Sequence, residues 1–153
     1  MAKVKIPNVD ALKDYVGKEF GVSDWREVPK KAIDLFAEST GDYQFIHTDP
    51  ELAKKESPYG RTIAHGFFTI SLFPVLRNEI LEIEKRRVTI NYGLNKLRFP
   101  APLPVGEKVR MRLGLLSLEN IDKGVKVVFK ATFEVSGQEK QACIAEVVNR
   151  FMY

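Results

Sequence analysis

Asp42 and His47 lie five residues apart in the stretch GDYQFIHTDP, separated by Tyr43, Gln44, Phe45 and Ile46. A carboxyl and an imidazole are the two side chains best suited to moving protons near neutral pH. Burial in an apolar loop pushes the carboxyl up and the imidazole down, while their mutual attraction opposes both shifts. The outcome suits one acid and one base working on the same substrate. The stretch also has a plainer reading. Asp42 follows Gly41 and can simply turn or cap the chain, and a loop histidine can simply bond to backbone. Spacing alone leaves both open. The second histidine, His65, precedes Gly66 at the head of an apolar run. A helix starting there has N–H groups without helical partners and a dipole that favours negative charge. With no side chain on Gly66, a ligand oxygen can approach its N–H closely. That suits a carbonyl that gains negative charge during reaction. The alternative is a glycine that permits tight packing, with His65 structural.

The elements around these residues fall into two halves. To about residue 83 the pattern is helical and irregular; from about residue 86 it is β. VDALKDYVG predicts a short helix stopped by Gly17, and KEFGVSDWREV an extended segment. PKKAIDLFAEST has Pro29 at a helix start and Ile33, Phe36 and Ala37 at helical spacing, with Gly41 as the terminating residue. Asp49 and Pro50 open another helix, DPELAKKE. The run HGFFTISLFPVLRNEILEI is apolar nearly all round, so it predicts a buried helix, bent at Pro74. In the second half, Val109, Met111, Leu113 and Leu115 alternate along one strand, and Val125, Val127, Phe129, Ala131, Phe133 and Val135 along the next. Residues 122–124 and 136–139 supply the turns, KQACIAEVVNRFMY the third strand, and RRVTINYGLNKLRF a further one. The pattern predicts an α+β architecture: a single domain over residues 1–153 in which an antiparallel sheet curls around one hydrophobic helix. One copy leaves a sheet edge bare, and pairing of two copies would cover it, which predicts a homodimer.

Composition narrows the function classes. The 153 residues carry 24 Lys and Arg against 20 Asp and Glu, a net charge of +4. The charges are interleaved, as in KKAIDLFAE and EIEKRR, so no basic stripe marks a nucleic-acid binder. A small positive balance still suits a phosphate-bearing ligand. One cysteine, Cys143, cannot form an internal disulfide, no metal-ligand spacing is present, and its apolar neighbours predict a buried thiol. The opening residues are too polar for a signal peptide, and GFFTISLFPVL is too short to span a membrane. These features predict a cytoplasmic protein.

AESTGDYQFIHTDPELA, followed by GRTIAHGFFTISLF and INYGLNKLRFPAPLPVGEKVR, resembles the MaoC-like dehydratases, which include R-specific enoyl-CoA hydratases and nodulation-protein-N-like relatives. The resemblance runs from about Trp25 to the C-terminus. It implies the hot-dog fold, a curved antiparallel sheet wrapped around a long central helix. It implies an R-specific enoyl-CoA hydratase, or 3-hydroxyacyl dehydratase, of fatty-acid metabolism. Carried onto this chain, the family motif makes Asp42 and His47 catalytic and gives the Gly66 N–H the task of polarising a thioester carbonyl. Water would add across a trans-2-enoyl thioester, His47 accepting its proton and Asp42 supplying one to the α-carbon. The resemblance implies no metal and no redox cofactor, with coenzyme A or acyl carrier protein entering only as part of the substrate.

The chain departs from the family motif in one place: Gln44-Phe45 stands where Asn-Pro is usual, so another contact must hold the loop. Phe45 can be a buried anchor, and Gln44 and Phe45 border the substrate in this reading. The serine that some hydratases place two turns into the central helix falls on Pro74, with Ser71 and Thr69 the nearest hydroxyls. Arg61, Lys96 and Arg98 are candidates for the coenzyme A phosphates, or else solvated surface charges. Phe45, Phe67 and Phe68 are candidates for the acyl pocket, with core packing the plainer role for the last two. Two other functions fit the same fold: an acyl-CoA thioesterase, in which water attacks the carbonyl, and a non-catalytic acyl-thioester-binding dimer.

Overall fold

A computed structural model describes residues 2–153. The alternating apolar positions of the second half form the strands that the pattern predicts. They are β6 (Lys108–Ile121), β7 (Gly124–Val135) and β8 (Cys143–Met152), preceded by β5 (Val88–Arg98). β6, β7 and β8 form an antiparallel meander, and β5 returns to pair with β8, giving the order β2-β6-β7-β8-β5. β2 (Glu19–Val22) and the two-residue β3 (Arg26–Glu27) pair with the outer part of β6. Period-two alternation sends Met111, Leu113, Ala131, Phe133 and Ala145 to one face, where all are buried.

The central helix lies on that face. It is two segments, α4 (Gly66–Ser71) and α5 (Phe73–Ile80), parted at Leu72. Pro74 has no N–H to donate to the Ile70 carbonyl, so the chain breaks there instead of bending smoothly. Phe68, Phe73, Leu76 and Ile80 point into the sheet. Phe129 is the hub of the contact, with ring centroids 5.8 Å from Phe73, 6.0 Å from Phe151 and 6.2 Å from Phe20. A buried aromatic of this kind contributes about 3–5 kcal/mol against truncation to alanine. Cys143 is buried on the same face and its thiol is pushed up to about 12 by burial. Arg77 is buried as well. It donates to Asn149 Oδ1 at 2.8 Å and Asn78 Oδ1 at 2.9 Å, and lies over Phe73 and Phe151. Burial, followed by nearby Arg86, lowers its pKa to about 10.

Two local readings differ from the sequence pattern. Leu81 to Ile83, expected as the helix tail, open strand β4 (Leu81–Lys85), paired in parallel with β1 (Val4–Asn8). Leu81 and Ile83 are buried at period two, and the partner strand supplies Val4 and Ile6 opposite them. VDALKDY folds as a 3-10 helix, capped by the Asn8 side chain. The helices that flank the candidate site follow expectation. α1 (Lys30–Thr40) ends at Gly41, which takes φ 81° and donates to the Ala37 carbonyl. α2 (Phe45–Thr48) is one turn, and α3 (Pro50–Glu56) starts with Asp49 accepting from the Leu52 N–H. Among the described residues, no helix is long and apolar enough to cross a membrane.

β5 is an edge of the sheet and is mostly exposed, including Val88, Ile90, Tyr92 and Leu94. A cleft of about 370 Å³ opens between it and the central helix, lined by Ile70, Ser71, Pro74, Tyr92, Leu94 and Val148 among others.

Candidate active site

The loop after α1, the single turn α2 and the start of α4 bring Asp42, His47 and His65 together. One side-chain ligand atom from each lies within 4.8 Å of the others. His47 is 7% exposed and its Nδ1 lies 2.7 Å from the Ile63 carbonyl oxygen. A carbonyl only accepts, so Nδ1 carries the hydrogen and Nε2 is left with a lone pair. Ile63 is itself fixed. Its N–H donates to Ile46 O at 2.9 Å, while Ala64 N–H donates to Leu103 O and Val105 N–H to Thr62 O. Burial lowers the His47 pKa. The bond to Ile63 opposes that shift, the His65 ring adds to it, and Asp42 opposes it last. The His47 imidazole is therefore pushed toward its neutral form, with Nε2 free to accept a hydrogen bond.

Asp42 differs from the sequence reading. It is exposed, as are Tyr43 and Gln44 beside it. The expectation of a water-excluding loop around both groups holds for His47 and not for Asp42. The reason is geometric: α2 buries His47 and half-buries Phe45, Ile46 and Thr48, while residues 41–44 cross the surface. Asp42 Oδ1 accepts from the Gln44 N–H at 3.3 Å, so the turn-forming reading is also true of this carboxylate. Thr48, a residue the sequence reading passed over, closes the same loop. Its hydroxyl lies 3.1 Å from the Tyr43 carbonyl and 3.2 Å from that of Gln44. These contacts tie the loop to α2. The signal was a threonine one turn after the loop. Phe45 is half-buried, and Gln44 contributes its carbonyl as the start of α2.

Gly66 is the first residue of α4, where an N–H has no helical acceptor. A Cβ at this position would lie 2.8 Å from the Phe99 ring, so only glycine admits that ring. Phe99 meets Phe67 edge-on at 6.2 Å. Phe67 is 68% exposed, which overturns the core reading for it, whereas Phe68 is buried in the core as expected. Ser71 donates to the Phe68 carbonyl at 2.6 Å and Thr69 is buried.

The candidate phosphate ligands are not brought to this cluster. Arg61 is tied to Glu107 at 3.2 Å and to the Val105 carbonyl at 2.8 Å. Lys96 stands opposite Glu146 in the β5–β8 register, and Glu146 opposite Lys130 in β8–β7. This row of alternating charge lies on the outer face of the sheet, away from the central helix. Arg98 is exposed and donates to the Leu97 carbonyl. The rings of His47 and His65 are stacked, 4.0 Å apart with 27° between planes.

A profile of the MaoC-like domain matches residues 12–136. The chain belongs to the MaoC-like domain family, and its curved sheet around a central helix is the hot-dog fold. It is 44% identical over 146 residues to 3-hydroxyacyl-thioester dehydratase Z of Mycobacterium tuberculosis (strain ATCC 25618 / H37Rv), covering 95% of this chain and 96% of the relative. It is 39% identical over 132 residues to Nodulation protein N of Rhizobium leguminosarum bv. viciae, covering 85% and 82%. The crystal structure of a MaoC-like dehydratase from Rhodospirillum rubrum superposes with a TM-score of 0.75 at 22% identity, over 93% of this chain and 97% of that one.

Proposed function

We propose that this protein is a hydro-lyase of fatty-acid metabolism that adds water to trans-2-enoyl thioesters with R stereochemistry, or removes it from R-3-hydroxyacyl thioesters. The observation that carries the reading is the convergence of Asp42 with His47, whose Nδ1 is taken by the Ile63 carbonyl, beside the first turn of α4. The name of the mycobacterial relative, a 3-hydroxyacyl-thioester dehydratase, supports the same chemistry. In this mechanism Asp42 and His47 hold one water between them. His47 Nε2 takes a proton from it as its oxygen bonds to the β-carbon. Asp42, carrying a proton for this step, hands it to the α-carbon on the same face. The proton on His47 then returns to Asp42, so that the net addition is one H and one OH. The Gly66 N–H donates to the thioester oxygen as enolate character develops. One such donor is worth about 2.7–4 kcal/mol in the transition state. The chain's own groups supply this chemistry, and coenzyme A or acyl carrier protein enters as part of the substrate.

The acyl group extends from Gly66 along the central helix into the cleft at Ile70, Ser71 and Pro74. That cleft begins about 6 Å beyond Gly66 at 1.5 Å per residue. A second copy, paired along β5, covers the apolar edge and closes the exposed side of the site. This makes the working form a cytoplasmic homodimer. Leu94→Lys, which places a charge on that edge, is expected to shift the dimer toward monomer in sedimentation.

The test is an assay with a short trans-2-enoyl-CoA. Loss of the conjugated double bond and an R-3-hydroxyacyl product are expected. Release of free thiol would mark a thioesterase, and binding without turnover an acyl-thioester-binding protein. Either result overturns the proposal, as does an S product.

A further inference from the structure

His65 is 3% exposed and touches every part of the candidate site. One face of its ring lies against His47 at 4.0 Å; Phe36 of α1 packs 4.9 Å away. Its Nε2 lies 3.0 Å from the main-chain oxygen of Asp42, and its Nδ1 is buried without a partner. It is also the residue whose peptide carries the Gly66 N–H. A histidine that only filled space between Phe36 and His47 could be any flat apolar ring. This one sends its N–H to the backbone of Asp42, 23 residues away, at the point where the loop crosses the surface and has few other anchors. The carbonyl only accepts, so Nε2 carries the hydrogen of this bond.

We infer that His65 is the positioning residue of the site, holding the Asp42 backbone and the His47 ring in fixed relation to the Gly66 amide. The inference rests on the hydratase reading for its kinetic consequence, and on the ring contacts and the Asp42 bond for its geometry. His65 touches no reacting atom. It acts by keeping an exposed carboxylate where a buried imidazole can share a water with it. Small displacements of such groups cost rate while leaving binding intact.

Two substitutions separate the bond from the ring. His65→Gln keeps an N–H donor at the Nε2 position, and His65→Phe keeps the ring without the donor. With a short trans-2-enoyl-CoA, His65→Phe is expected to lower kcat about 100-fold with KM nearly unchanged, and His65→Gln to recover at least tenfold of that loss. Amide exchange at Gln44, whose N–H reports the Asp42 side chain, is expected to quicken in His65→Phe and not in His65→Gln. In the wild type, long-range ¹H–¹⁵N spectra are expected to show hydrogen on Nε2 of His65 and on Nδ1 of His47. Full kcat in His65→Phe, or equal damage in the two variants, overturns the inference. So does the opposite tautomer of His65 in the wild type, a result that depends on no variant folding. Absence of turnover by the wild type defeats the hydratase reading alone, since the tautomer and exchange measurements judge His65 without it.

Discussion

The inner face of β6, β7 and β8 and the segment from Gly41 to Gly66 are built by opposite means. The sheet is side chain against side chain: Phe129, Phe133 and Met111 are fully buried and interlock with the central helix. The segment is side chain against main chain. His47 bonds to Ile63, His65 to Asp42 and Thr48 to Tyr43 and Gln44, each through a carbonyl oxygen. Apolar packing is strong and tolerant of small shifts, whereas a bond to a carbonyl is weaker and fixes a direction. The molecule uses the first for stability and, on the proposed function, the second to aim the two groups that move protons.

The contrast breaks most visibly if the aiming residues also prove to hold the fold. His47→Gln and Asp42→Asn are each expected to reduce kcat/KM for a short trans-2-enoyl-CoA about 10²–10⁴-fold. Thermal melting should stay within a few degrees of wild type, and calorimetry beside the assay checks both. Phe129→Ala is the converse. It is expected to lose about 3–5 kcal/mol of stability in urea unfolding while the remaining folded fraction keeps its rate.

The pH profile sharpens the comparison within the site. Burial holds the His47 pKa below the ordinary value of 6.5, so the base form is complete at neutral pH. As pH falls through that lowered pKa the imidazole gains a proton. kcat/KM is then expected to fall about tenfold per pH unit, with its midpoint below 6.5. A midpoint above 6.5 contradicts the burial account. The smallest effect belongs to the loop clasp. Thr48→Val removes bonds worth about 0.5–1.5 kcal/mol and is expected to lower kcat only several-fold, measured in the same assay.

The sheet was legible from sequence because a period of two is a property of neighbouring residues. Every alternating position of β7 from Val125 to Val135 is buried as the pattern required. A disruption of the helix near Pro74 was legible for the same local reason, though as a bend and not the break seen at Leu72, as were the caps at Gly41 and Asp49. β4 was not, since Leu81 and Ile83 follow a helix without a stop signal and their partner strand lies more than 70 residues earlier. In the site, Asp42, His47 and Gly66 could be named from residue types and family resemblance. Ile63 could not, because a carbonyl oxygen leaves no mark on residue type. His65 was visible as a residue, but its contact with Asp42 spans 23 positions and no periodicity predicts it. The charge of Lys96 is readable in sequence, whereas the face of the strand that carries it depends on register.

The most direct test of the central claim is a double-mutant cycle on Asp42→Asn and His47→Gln, read as kcat/KM for a short trans-2-enoyl-CoA. Groups that act as a unit on one water lose the whole effect when either is removed. The double variant is therefore predicted to be no slower than the slower single variant, within a few-fold. Losses that multiply would show two independent contributions and contradict the shared water.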